Sequence, residues 1–185
     1  MIAVLASASP RRKELIAKIE DLEVEIIPSG ADENCKEASA ERLVCVLANR
    51  KAKDVFAKTG KITIGADTVV VLGSKILGKP RTKAEAKAML KSLCGKTHRV
   101  LTGVSVISKD GEQTECETTF VTFNACSDEM IDAYVASGSP MDKAGAYGIQ
   151  DEGFAPFIKE VKGDLDNVIG LPVRLLEKML KQVKD

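Results

Sequence analysis

Short apolar runs alternate with amphipathic stretches along the whole chain, and their periods predict strands and helices in alternation. Ile2 to Ala6 is an unbroken apolar run of strand length, expected to be buried. Ser9-Pro10 then opens a helix, because serine suits the N-cap and proline the first helical position, where its missing N–H costs nothing. That helix is expected to reach about Ile19. Leu22 to Ile27 alternates in strand fashion, and the polar stretch from Ser29 to Ser39 reads as a loop. Arg42 to Phe56 carries Leu43, Val46, Leu47 and Val55 near one face, a helical spacing. Ile62 to Leu72, rich in β-branched residues, is the strongest strand signal, but Gly65-Ala66-Asp67 should break it.

Gly73-Ser74 reads as a hairpin connection, and Thr82-Lys83-Ala84-Glu85 as a capping box that opens a helix closed by Gly95. Arg99 to Ser108 and Glu112 to Phe123 form a hairpin about Asp110-Gly111. Ser127 caps a helix through Ala136 that Gly138 ends. A glycine-rich stretch follows, then a short strand around Phe157 to Val161. A last amphipathic helix runs from Leu171 or Pro172 to about Val183. Strands mixed with helices, together with an antiparallel hairpin, define an α/β protein with a mixed sheet.

Composition narrows this picture. The chain has 185 residues, 44% hydrophobic and 29% charged, enough for one domain with a core that needs no staple. Lys plus Arg equals Asp plus Glu at 27 each, so no global field draws nucleic acid or anionic lipid, and an anion site must be local. Five cysteines, Cys35, Cys45, Cys94, Cys116 and Cys126, show no Cys-x-x-Cys spacing. They read as reduced core residues of a soluble cytoplasmic protein. No apolar run reaches the length of a membrane span.

The single histidine, His98, excludes a multi-histidine metal site and suits a structural place at a strand start. Gly95-Lys96-Thr97 resembles the end of a phosphate-binding P-loop, but Leu90 stands where the first glycine is required. Positive signals lie elsewhere. In Ser7-Ala8-Ser9-Pro10-Arg11-Arg12 a strand runs into a capped helix, with two hydroxyls and two arginines at its N-terminus. Arginines there oppose the helix dipole, so either they face a ligand or they are solvated beside a plain cap. Asp67, inside an apolar strand, must be paired, hydrogen-bonded or metal-bound unless the strand kinks to solvent. Lys79 is pinned between Gly78 and Pro80. The small residues of Asp142-Lys143-Ala144-Gly145-Ala146-Tyr147-Gly148-Ile149-Gln150 permit close backbone approach, or form a mere irregular loop. Together these groups suit metal-assisted phosphoanhydride hydrolysis.

In order, these motifs resemble the Maf family of nucleoside triphosphate pyrophosphatases, also called septum formation inhibitors. Ala31-Asp32-Glu33, Leu47-Ala48-Asn49-Arg50-Lys51-Ala52, Gly65-Ala66-Asp67-Thr68, Ile76-Leu77-Gly78-Lys79-Pro80, Thr102-Gly103-Val104 and Asn167-Val168-Ile169-Gly170-Leu171-Pro172 complete the series. It spans nearly the whole chain. The resemblance implies an inosine-triphosphatase-like α/β fold: one domain over residues 1–185, with an elongated mixed sheet in two lobes and a central nucleotide groove. It also implies a divalent cation, Mg2+ or Mn2+, and a homodimer. By the same resemblance Asp67 is the proton acceptor and, with Glu33, a metal ligand. Lys51 and Lys79 complete the catalytic set, while Ser7, Ser9, Arg11 and Arg12 hold phosphates. Arg11, Thr68 and Gln150 mark the branch acting on dTTP and UTP. Two departures stand out: the family's Ser-Gly-Glu-Pro is Ser137-Gly138-Ser139-Pro140 here, and Asp151 rather than glycine follows Gln150. Leu165 also replaces a frequent tyrosine. A nucleotide-binding regulator of cell division acting through a protein partner is the alternative reading. Zero net charge and few aromatics argue against nucleic acid.

Overall fold

A computed structural model describes residues 1–183. Seven strands form one mixed sheet in the order β2-β1-β3-β5-β6-β7, with β4 paired to β3. The strands are β1 (Ile2–Leu5), β2 (Glu23–Ile26), β3 (Thr63–Leu72), β4 (Lys75–Leu77), β5 (Thr97–Ser108), β6 (Gly111–Phe123) and β7 (Ile158–Lys162). The helices are α1 (Pro10–Ile16), α2 (Ala40–Thr59), α3 (Lys83–Leu93), α4 (Asp128–Ala136), α5 (Leu165–Ile169) and α6 (Val173–Leu180). β1 runs parallel to β2 and β3, whereas β4 is antiparallel to β3 and β7 to β6. The expected α/β class with a mixed sheet is what the chain adopts.

Helix starts follow the capping chemistry. Ser9, Ser39, Thr82 and Ser127 each accept a bond from the backbone N–H three residues on. Two expectations fail. α1 ends at Ile16, short of Ile19, and β3 runs unbroken through Gly65-Ala66-Asp67. The short helix α5 and the 3-10 turns between residues 139 and 157 carry no helical hydrophobic period and escaped the sequence reading.

The chain divides into two compact units. The first holds residues 1–68, 101–117 and those from 166 onward. Strand alternation organises it. Ala3 and Leu5 of β1, Ile64 and Ala66 of β3, and Val104 and Val106 of β5 share one core with Leu15 and Ile16 of α1 and Leu176 and Met179 of α6. The opposite face of β1, Val4 and Ala6, packs on Val55 of α2. Helices therefore cover both faces of these strands.

The second unit holds residues 69–100 and 118–165. Its core is aromatic: Phe154 stacks on Phe157 with centroids 4.5 Å apart, Tyr147 stacks on Phe154, and Phe123 and Tyr134 close the cluster edge-on or tilted. Cys94 and Cys126 are disulfide-bonded, Cα atoms 5.7 Å apart, tying the end of α3 to the segment before α4. This corrects the reading of all five cysteines as reduced core residues. The partners lie 32 residues apart, so local spacing gave no sign of the pair. Cys35, Cys45 and Cys116 are free and only half-buried.

His98 is buried at the start of β5, as expected of a structural residue. Its Nε2 lies 2.8 Å from the Tyr147 hydroxyl, and burial lowers its pKa from 6.5 to about 4. Between those values the unfolded chain takes up a proton that the folded protein refuses. The stability His98 contributes is thus full above pH 6.5 and is lost as pH falls towards 4. Urea melts of wild type and His98→Gln across this window should show a steeper fall in the wild type, by up to about 1.4 kcal/mol per pH unit. Parallel curves would contradict the assignment.

Candidate active site

Two glycines bring α2 onto the sheet. A Cβ at Gly65 would fall on the carbonyl oxygen of Ala48 and 2.8 Å from the Ala52 nitrogen. At Gly103 it would meet the Val44 carbonyl and lie 2.7 Å from the Cys45 nitrogen. The helix backbone therefore rests directly against β3 and β5. Gly65, expected to break the strand, instead leaves a space on it that α2 fills.

This contact sets Lys51 beside Asp67. The Lys51 ammonium lies 2.7 Å from Asp67 Oδ1 and 2.8 Å from Glu33 Oε1. Lys51 and Asp67 side chains are 12% and 13% exposed, whereas Glu33, on the loop before α2, is 63% exposed. The two carboxylate oxygens thus converge on one point, and Asp67 is tolerated among apolar neighbours because it is paired. Residues 67 and 68 point to opposite faces of β3, so Thr68 turns towards α1.

There it meets Arg12. The guanidinium donates through Nε to the Gly170 carbonyl at 2.8 Å, through Nη1 to Ser7 Oγ at 3.4 Å and through Nη2 to Thr68 Oγ1 at 3.1 Å. Thr68 and Thr102 hydroxyls are 2.9 Å apart, and Thr102 donates to the Asn167 carbonyl at 3.1 Å. Arginine can only donate and a carbonyl can only accept, which fixes every proton: Arg12 to Thr68, Thr68 to Thr102, Thr102 to Asn167. Burial lowers the Arg12 pKa, Asp67 and Glu33 oppose that shift, and Arg11 adds to it. Arg11, Arg12, Lys51, Asp67 and Glu33 form one electrostatic cluster, with three cations against two carboxylates.

Ser7 accepts from the Ser9 N–H and from Arg12, and Ser9 caps α1, so both hydroxyls shape the turn that carries the arginines. With seven residues, α1 contributes little dipole. The anion-binding capacity here resides in side chains. Thr102, Asn167 and Gly170 enter the site through this chain. Two of their segments were visible as motifs, but their hydrogen bonds were not.

Lys79 and Gln150 belong to the second unit, and both are exposed. Gly78, beside Lys79, accepts from the Gly145 N–H at 3.0 Å. Gln150 sits in a turn closed by the Asp151 N–H on the Gly148 carbonyl, also 3.0 Å. The two candidates therefore stand on segments joined through the 145–148 stretch. Among the described residues no cluster of three or more metal-ligating side chains occurs, and no helix is long and apolar enough to cross a membrane.

The fold is shared with Ham1 proteins of Staphylococcus aureus (15% identity, TM-score 0.60, all of both chains) and Coxiella burnetii (17%, TM-score 0.56, 99% of this chain and 100% of that one). Residues 3–183 match the model of the Maf-like proteins, and the chain belongs to the Maf family. A relative from Thermococcus kodakarensis, named a dTTP/UTP pyrophosphatase, is 46% identical over 178 residues, 95% of this chain and 94% of its own. A protein of the same name from Bacillus mycoides is 47% identical over 181 residues, 97% and 94% of the two chains.

The α2 contact can be tested directly. Gly65→Ala should cost on the order of 3 kcal/mol or more, because helix backbone, not a flexible side chain, occupies the space. Gly30→Ala, with nothing within 4 Å of the new methyl, should stay within about 0.5 kcal/mol. Chemical denaturation of both variants decides; equal costs would remove the packing argument.

Proposed function

We propose that the chain is a nucleoside triphosphate pyrophosphatase, one 185-residue domain that cleaves dTTP and UTP to the monophosphate and pyrophosphate. The observation that carries this reading is the convergence of Asp67 and Glu33 on Lys51, within the field of Arg12. The activity of the Thermococcus and Bacillus relatives supports it.

The family resemblance implies a divalent cation, and the donors suit one. Asp67 and Glu33, whose oxygens meet on the Lys51 ammonium, would be hard oxygen ligands of the kind that hold Mg2+ or Mn2+ together with substrate phosphates. Held by Asp67 and Glu33, such an ion would supply Lewis-acid polarisation of a phosphoryl oxygen. The protein's own groups do the rest. Asp67 takes the proton of a water that attacks the α-phosphorus. The bond from that phosphorus to the bridging oxygen breaks, and pyrophosphate departs with the electron pair. Lys51 fixes the Asp67 carboxylate. Arg11, Arg12 and Lys79 neutralise charge on the phosphates, and Ser7 and Ser9 hold the turn that aims the arginines. The balanced charge of the chain agrees with a small-molecule substrate and no nucleic acid, and a homodimer in the cytoplasm belongs to the same reading.

Asp67→Asn should lower kcat on the order of a hundredfold or more with a smaller change in KM. Orthophosphate as the first product of the wild type would contradict attack at the α-phosphorus.

Base preference is assigned to Gln150, with Arg11 beside the phosphates and Thr68 acting through the guanidinium it orients. Uracil and thymine present two carbonyls flanking N3–H, and a glutamine amide can pair with N3–H and one carbonyl together. Cytosine lacks that proton and carries an amino group at C4, so the same amide would need to flip; held in one orientation it is left mismatched, worth roughly five- to 150-fold in selectivity. Gln150→Ala should shrink the ratio of kcat/KM for UTP over CTP by about tenfold. An unchanged ratio removes Gln150 from this role.

A further inference from the structure

The turn that presents Gln150 is held by groups outside the proposed chemistry. Asp151 Oδ2 accepts from the hydroxyls of Tyr134 and Ser139, each at 2.5 Å, and lies 3.4 Å from the Lys143 ammonium. Tyr134 Oη in turn accepts from the Gly148 N–H at 3.0 Å. The Gly148 carbonyl takes the Asp151 N–H. Both ends of the turn spanning residues 148 to 151 are thereby fastened to one hydroxyl–carboxylate pair. Burial and the Asp151 contact push the Tyr134 pKa up, so its hydroxyl keeps its proton and donates. A Cβ at Gly148 would meet Asp151 Oδ1 at 2.5 Å and Lys143 Cε at 2.6 Å, so the turn closes on these side chains without a gap.

Lys143 is 8% exposed and needs counter-charge there. Its ammonium donates to the Ser139 carbonyl at 2.6 Å, to Ser139 Oγ at 3.1 Å and to Asp142 Oδ1 at 2.9 Å. The Ser139 hydroxyl therefore touches both the ammonium and the Asp151 carboxylate. Positions 139 and 151 lie apart in the chain, and the fold puts their side chains in contact. A carboxylate grown from position 139 would reach the same ammonium.

We infer that Asp151 is the positioning residue of the Gln150 turn, its carboxylate holding the Tyr134 and Ser139 hydroxyls and the Lys143 ammonium against that turn. Its effect on base selectivity rests on the reading of Gln150 given above. Its effect on the turn does not. Asp151→Gly should free the Gly148 and Asp151 amides, speeding hydrogen exchange across residues 139–151 at least tenfold. It should also lower kcat/KM for UTP about tenfold, mainly through KM, with kcat within about twofold. Ser139→Glu in the Asp151→Gly background should restore slow exchange and low KM. Asp151→Asn, which keeps shape but not charge, provides the measurement if the glycine variant does not fold, and should lie between the two. Exchange unchanged in Asp151→Gly, or a double variant no better than the single, overturns the inference. Exchange that rises and is rescued while the UTP-to-CTP ratio stays constant keeps the clamp and removes Gln150 as the base reader.

Discussion

The bare contact between helix α2 and strands β3 and β5 is the constraint on which the first unit depends. Side chains between a helix and a sheet normally hold the backbones apart, and here Gly65 and Gly103 remove that spacer at two adjacent strands. The helix sinks until Ala48 and Val44 touch the strand backbone, and Lys51, one residue before Ala52, arrives level with Asp67. Asn49 reaches Ser105 at 3.1 Å from the same helix. A wider separation would leave Asp67 without its ammonium and a carboxylate stranded among apolar neighbours.

Strand alternation then divides the work of neighbouring residues. Asp67 faces α2 and joins Lys51 and Glu33, whereas Thr68 faces α1 and joins Arg12. The guanidinium ties α1 to β3 and to the Gly170 carbonyl, and the hydroxyls of Thr68 and Thr102 pass the chain of donors on to Asn167. Each of these two hydroxyls both accepts and donates, so this polar seam holds Arg12 in one orientation. Orientation matters for a group meant to meet phosphate, because the guanidinium fork is directional.

The second unit solves a different problem. Its loop from residue 139 to 157 has little regular structure, yet it is tightly held. Aromatic stacking of Tyr147, Phe154 and Phe157 supplies the apolar side, and the Asp151–Lys143–Ser139–Tyr134 network the polar side. The Cys94–Cys126 disulfide and His98 against Tyr147 anchor the strands and helices around it.

By itself the sequence determined the elements and the chemical inventory. Serine and threonine caps, β-branched runs and the glycine ends of helices act over a few residues, so their effect can be read without the fold. The family motifs are local strings too, and they marked Arg12, Asp67, Lys51, Lys79 and Gln150 as residues of interest. Tertiary structure alone decided what each side chain meets. Nothing near Gly65 says that a helix sits on it, since the clashing atoms lie on Ala48 and Ala52. The proton order from Arg12 to Asn167 joins residues 155 positions apart in the chain, through steps of 56, 34 and 65 residues. Cys94 finds Cys126, and Ser139 finds Asp151, because packing brings distant segments together. Local propensity depends on neighbours in sequence, whereas pairing, burial and charge depend on neighbours in space, and only the folded chain specifies those.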